Sequence, residues 1–230
     1  MDAYVGDFIR KLEEKGWMDD TVVIISADHG GVNFGHGGDS LEEFEIPVIL
    51  YGKGVTKGKR PSHIRSVAIK DGSRSIVADN YFFYPSDEPS VRYKFYVNAR
   101  GRTMPDFSKL GRPISEGYIS TFSLDEFKLG NANWFAILMT SNLAVDEEAD
   151  YTFEVSADDG ACMYVDGNLV VSNPDAHSIS KPVKGKVHLT KGMHLVEVEY
   201  YELISSQGLN IRFGINDGPL VPLFLARFER

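Results

Sequence analysis

From residue 91 onward the chain is a succession of short runs that alternate apolar and polar side chains, separated by turn residues, with no long helical repeat. Residues 151–155 alternate in this way, as do 194–200 and 209–213. In 194–200, Leu195, Glu197 and Glu199 fall on one face of a strand and Val196, Val198 and Tyr200 on the other. Asp166-Gly167-Asn168 separates two apolar runs, 163–165 and 169–171. An Asp-Gly pair tolerates the positive φ that a tight hairpin turn requires, so this spacing predicts a β-hairpin. Repeated short strands with regular turn signals predict a β-sandwich or barrel over 91–230, a length that suits a single domain.

Residues 1–90 have a different texture. Over 2–16, Tyr4, Phe8 and Leu12 recur at helical spacing with Val5 and Ile9 beside them, and Lys and Glu fill the other face. Gly16 is placed to end that helix. Thr21-Val22-Val23-Ile24-Ile25 and Ile46-Pro47-Val48-Ile49-Leu50-Tyr51 are almost wholly apolar. Such runs predict strands buried on both faces, as in a parallel sheet. Helix, buried strand, Gly-rich polar loop and buried strand make a piece of an α/β fold. The expected organisation is therefore two domains: a partial α/β segment over 1–58 and an all-β sandwich over 91–230. A linker over 59–90 joins them, with short strands at 67–69 and 76–78 and a break at Pro85-Ser86-Asp87-Glu88-Pro89.

Composition removes several classes of function. With 43% hydrophobic and 25% charged residues the chain can build cores, which excludes wholesale disorder. A net charge of −9 argues against nucleic acid as a partner. No apolar run approaches the ~20 residues of a membrane span, and no signal peptide is visible. The single cysteine, Cys162, allows no internal disulfide and reads as a small buried hydrophobe.

Asp28 and His29 follow the first apolar run directly, and His36 follows within a loop carrying Gly30, Gly31, Gly35, Gly37 and Gly38. Imidazole and carboxylate are the ligands that zinc-like divalent metals favour. Glycines permit the sharp return that brings His36 toward the cavity faced by Asp28 and His29. The strand exit is also where open α/β sheets bind ligands. An ordinary Asp-His-Gly turn is the alternative reading.

The run from Asp19 through Ser26-Ala27-Asp28-His29-Gly30-Gly31, then Gly35-His36-Gly37-Gly38, Ile46-Pro47 and Gly52-Lys53-Gly54-Val55, resembles the C-terminal part of alkaline phosphatase superfamily hydrolases. That superfamily includes phosphodiesterases, nucleotide pyrophosphatases and sulfatases. The resemblance implies a two-metal site for phosphate or sulfate esters, with Asp28 and His29 matching ligands of the metal that activates the nucleophile. His36 matches a ligand of the other metal, and zinc is the implied metal. The nucleophile and half of the ligand set lie N-terminal to this segment in the family. The expectation is therefore the C-terminal portion of a longer hydrolase, not catalytically competent alone, whose partner is the missing N-terminal catalytic portion.

The second half carries another resemblance. Residues 151–167, which include Ser156-Ala157-Asp158-Asp159-Gly160, followed by 169–171, 185–189, Lys191-Gly192-Met193-His194 and Val198-Glu199-Tyr200-Tyr201-Glu202, are similar to the PA14 domain, a β-sandwich module of hydrolases, adhesins and toxins. The resemblance implies carbohydrate binding, with Asp158 and Asp159 at the position of a calcium-binding aspartate pair. Hard carboxylate oxygens suit calcium. The alternative is a structural turn in which the first carboxylate caps backbone amides. Trp134, Tyr164, Tyr200, Tyr201 and Phe213 are the aromatic candidates for a sugar platform, although aromatics in alternating strands more often belong to a core. His177, His188 and His194 read as hydrogen-bonding residues without a site.

Together these readings imply a hydrolase portion carrying a glycan-binding module. Its ligand would be a glycan or a phosphorylated or sulfated carbohydrate, and its parent protein would be periplasmic or extracellular. The alternative is a non-enzymatic glycan-binding module with a vestigial hydrolase segment.

Overall fold

The computed structural model describes residues 2–28, 30, 46–57, 63–66, 69–70, 73–74, 78–81, 88–130 and 132–230. The chain divides into two compact units, 1–61 and 62–230.

In the first unit, helix α1 spans Asp2–Glu14. It ends as the sequence predicts. Gly16 takes φ +70°, its N–H bonds to the Glu13 carbonyl at 2.9 Å, and the Trp17 N–H bonds to the Leu12 carbonyl at 3.0 Å. These two bonds satisfy carbonyls that the last turn would otherwise leave open. Strands β1 (Val22–Ser26) and β2 (Val48–Gly52) follow. They differ from expectation in direction and burial. They pair antiparallel, Val22 opposite Gly52 and Ser26 opposite Val48. Their exposure alternates, with Ile24 53% and Ile49 55% exposed. A parallel sheet is buried because helices cover both faces, whereas a lone antiparallel pair leaves one face to solvent.

The second unit opens with four short strands: β3 (His63–Ser66), β4 (Ile69–Lys70), β5 (Ser73–Arg74) and β6 (Ala78–Tyr81). β3 pairs with β6 and β4 with β5, both antiparallel. The strands expected at 67–69 and 76–78 fall largely outside the described residues.

The β half is a sandwich. Its strands are β7 (Val91–Val97), β8 (Ser115–Ile119), β9 (Phe135–Val145), β10 (Ala149–Asp158), β11 (Gly160–Val165) and β12 (Asn168–Asn173). They continue with β13 (Val183–Leu189), β14 (Gly192–Glu202), β15 (Gly208–Ile215), β16 (Val221–Pro222) and β17 (Phe228–Glu229). One sheet runs β12-β11-β14-β9-β7-β8, with β17 also on β9; the other runs β13-β10-β15-β16. The hairpin predicted at Asp166-Gly167 joins β11 to β12, with φ +49° and +77° at the two turn residues, as a two-residue hairpin of this kind demands. Inward residues form the core: Phe135, Ile137 and Met139 of β9, Phe153 and Val155 of β10, and Val196, Val198 and Tyr200 of β14. The connection before β9 adds aromatic contacts, with Phe127 edge-on to Tyr93 at 4.9 Å and Phe122 against Phe228 at 5.1 Å.

A second, smaller core lies on the outer face of the larger sheet. Tyr96, Ala99, Ala136 and Tyr201 are buried there beneath Met104, Phe107 and Leu110. Tyr200 and Tyr201 point to opposite sides of β14, yet both are fully buried, because residues 99–110 cover the face that Tyr201 occupies.

The two ends of the sandwich meet. Arg230 donates Nε–H to the Pro89 carbonyl at 2.8 Å, and Ser141 of β9 donates its hydroxyl to the Ser90 carbonyl at 2.8 Å. Where β12 of one sheet meets β13 of the other, a Cβ on Gly185 would lie 1.9 Å from the Val170 carbonyl oxygen. The backbones of β12 and β13 therefore approach too closely for any side chain. Gly185→Ala is expected to cost about 1–3 kcal/mol through overpacking. In thermal unfolding this reads as a midpoint lower by roughly 3–10 °C; an unchanged midpoint would show that the two strands can separate freely.

Candidate functional site

The sequence-predicted residues divide between the two units. Asp28 lies just beyond β1 and is exposed. His29 and His36 lie outside the described residues.

Asp158 and Asp159 stand at the turn from β10 to β11, joined by a cis peptide bond. The structure adds a third carboxylate that the sequence reading did not select. Oxygens of Asp158, Asp159 and Glu202, the last residue of β14, all lie within 4.8 Å of one another. Glu202 continues the parity of Val196, Val198 and Tyr200, so the alternation of β14 directs it inward. That parity is the signal in the sequence that points to it.

Each carboxylate has a distinct environment. Asp159, 7% exposed, accepts the Leu203 N–H on Oδ2 at 2.6 Å. Amide capping thus falls to the second aspartate, not the first. Glu202 is fully buried; its Oε2 accepts the Tyr200 hydroxyl at 3.1 Å, while Oε1 has no partner. The Tyr200 hydroxyl also reaches the Asp158 carbonyl at 2.5 Å. Burial, reinforced by the charges of Asp159 and then Asp158, pushes the Glu202 carboxyl up to about 8, against a smaller opposing effect of the Tyr200 hydrogen bond. Burial and the Asp159 charge likewise raise Asp158, partly offset by His177. No Lys or Arg forms an ion pair with any of the three among the described residues.

A fully buried carboxylate with one unpartnered oxygen, close to two further carboxylates, is costly when ionised, and either the proton that Glu202 holds or a bound cation relieves that cost. Three hard oxygen donors with no nitrogen or sulfur among them suit calcium and not zinc. A cleft of about 380 Å³ is lined by Leu124, Phe127, Ile179, Gln207, Gly208 and Leu209, and none of the three carboxylates lines it. Gly208 stands opposite Asp158 in the β10–β15 register.

The aromatic candidates separate sharply. Tyr200, Tyr201 and Phe213 are buried in cores and Tyr164 is half-buried, whereas Trp134 is 37% exposed. The histidines are hydrogen-bonded: His177 to Asn173 and the Ser178 carbonyl, His188 to Asp150 and Glu148, and His194 to Asp166 and the Thr190 carbonyl. Cys162 is buried.

Residues 122–220 match the PA14 domain family and residues 1–75 match the Sulfatase family. The chain joins a sulfatase-family segment to a PA14 domain. Its PA14 half is similar in fold to the PA14 domain of MpAFP antifreeze protein, at 16% identity and TM-score 0.52, over 61% of this chain and 90% of that one. It is equally similar to the PA14 sugar-binding domain from an RTX adhesin, at 16% identity and TM-score 0.52, over 62% of this chain and 99% of that one. No curated protein matches the chain. In the larger sheet β7, β8 and β17 lie outside residues 122–220, yet β7 and β17 both pair with β9 inside them, so the folded PA14 half is longer than the matched segment. No described helix is long and apolar enough to cross a membrane.

Proposed function

We propose that the PA14 half is a calcium-dependent glycan-binding module, with Asp158, Asp159 and Glu202 as the calcium ligands. The observation that carries this reading is the Glu202 carboxylate, fully buried, with Oε1 unpartnered and an oxygen within 4.8 Å of oxygens of both Asp158 and Asp159. Calcium takes six to eight oxygens, so three carboxylates leave positions for sugar hydroxyls and water. The cleft reaches Gly208, which pairs with Asp158, and the RTX adhesin's PA14 domain of similar fold is a sugar-binding one.

The sulfatase-family segment belongs, in this reading, to a metal-dependent hydrolase of phosphate or sulfate esters, with Asp28, His29 and His36 contributing to a zinc centre completed by further residues of the hydrolase. The parent protein works outside the cytoplasm on a phosphorylated or sulfated carbohydrate. The PA14 domain holds it near a polymeric substrate and so raises effective concentration without adding chemistry.

Calorimetric titration of the chain with calcium, followed by a glycan array with and without EDTA, tests the module. One calcium bound and an array signal lost in EDTA are expected; glycan binding indifferent to EDTA would overturn the reading. For the other half, no turnover of an aryl phosphate or aryl sulfate is expected with zinc added to this chain alone, and turnover would refute the dependence on further residues.

A further inference from the structure

The loops that frame the three carboxylates also carry an exposed aromatic ring and unpaired cations. Leu203, whose N–H bonds to Asp159, accepts the Trp134 N–H on its own carbonyl at 3.1 Å. A single residue thereby ties Trp134 to the acidic cluster. The Trp134 carbonyl accepts the Ala99 N–H at 3.0 Å, and the Asn133 side chain accepts the Ser205 N–H at 3.1 Å. Trp134 is thus held on both sides, at φ +61°, an uncommon conformation for a bulky residue. Its indole nonetheless stays partly in solvent, whereas Phe135, the next residue, and the aromatics Tyr200, Tyr201 and Phe213 of β14 and β15 are buried.

The Arg100 guanidinium lies 5.9 Å from the centre of the Trp134 ring. Arg102 follows in the same loop, and its carbonyl accepts the Ala176 N–H at 3.2 Å, while Met104 donates to the Pro174 carbonyl at 2.8 Å. These bonds fasten the arginine-bearing loop to residues 174–176. That segment runs directly into His177, whose ring bonds to Asn173 at the end of β12. Both arginines are exposed, and neither pairs with a carboxylate among the described residues, in a chain of net charge −9. In an acidic protein, arginines left unpaired beside an exposed ring are a place where an oxyanion can be received. A guanidinium forks onto sulfate, phosphate or carboxylate oxygens, and an indole covers the C–H face of a sugar ring.

We propose that Trp134 and Arg100, with Arg102 beside them, form a subsite for an anionic sugar: the ring stacks on the indole and its sulfate, phosphate or carboxylate pairs with Arg100. This rests on the calcium-dependent glycan-binding reading. Without the ion, the ionised carboxylates nearby repel an anionic ligand, and with it most of that charge is neutralised.

The test uses the full chain with calcium bound. The probes are a sulfated galactan oligosaccharide, the same oligosaccharide desulfated, a polygalacturonate oligosaccharide and mannose 6-phosphate, each titrated calorimetrically. At least one anionic probe should bind about tenfold or more tightly than the desulfated galactan, as a charge-assisted bond implies. The three anionic probes distinguish sulfate, carboxylate and phosphate. Arg100→Gln should abolish the preference while leaving affinity for the desulfated galactan within about twofold, and Arg100→Glu should reverse it. Trp134→Ala should weaken every probe. Equal binding of charged and neutral probes, a preference that survives Arg100→Gln, or no binding of any probe to the calcium-loaded chain would overturn the subsite. Calcium titration of the same samples reads the proposed function separately, since a chain that takes up no calcium refutes that reading whatever the charge preference shows.

Discussion

Asp159→Asn should weaken calcium binding by about a hundredfold or more and abolish calcium-dependent glycan binding, since affinity at such sites tracks the number of charged ligands. Asparagine is the informative replacement. Its amide oxygen can still accept the Leu203 N–H, which Asp159 Oδ2 accepts at 2.6 Å, so the loop after β14 keeps its anchor. Alanine would orphan that N–H at an additional cost of about 1–3 kcal/mol and confuse loss of metal with loss of structure. Without calcium the asparagine variant should melt no lower than the parent, because one of three mutually repelling carboxylates has been neutralised. Calorimetry gives the calcium affinity and an EDTA-controlled array gives the glycan binding. Wild-type calcium affinity in the variant would remove Asp159 from the ligand set.

Glu202 should govern how the stability of the metal-free protein varies with pH. An unfolded glutamate loses its proton near its ordinary value of 4.5, whereas the folded carboxyl holds it to about 8. Between those values the folded state binds one more proton than the unfolded state. Stability therefore falls as pH rises through that window and levels off above it. From pH 5 to pH 7.5 one such proton sets an upper bound of about 3 kcal/mol, which for a chain of this size is a fall in melting temperature of roughly 5–10 °C. Glu202→Gln carries no such proton and should show a flatter profile, with a gain over the parent at pH 7.5 and little difference at pH 5. Calcium should oppose the fall in the parent by favouring the ionised carboxylate, and should do much less for the variant. Parallel melting curves for parent and variant across this range in EDTA would show that Glu202 titrates normally.

How much was legible in the sequence depended on how each strand is covered. β10 and β14 announce themselves by alternation because one face of each lies in the core and the other is mostly less buried. The Asp166-Gly167 turn was readable from two residues, since few others accept positive φ in succession. β9 was not singled out, although it is the centre of the larger sheet. Phe135, Ala136 and Ile137 are all buried, because residues 99–110 cover the outer face there and erase the period of two. β1 and β2 misled in the opposite sense: apolar runs suited to a sheet covered on both faces occupy a two-stranded antiparallel pair. At the site, Asp158 and Asp159 were found through family likeness. Glu202 has no such likeness, and only strand parity points it inward. Trp134 could not be separated from the other aromatics, since its exposure follows from loop contacts with Leu203 and Ala99 that have no local signature.

The bond from Arg230 to the Pro89 carbonyl places the entrance and exit of the sandwich side by side. A fold whose two ends touch makes little mechanical demand on its host. It can hang from a terminus, or be spliced into a surface loop, without prying apart the elements on either side. Such a unit is portable between polypeptides, and its ligand preferences can evolve in the loops around Asp158 and Trp134 while its point of attachment stays the same.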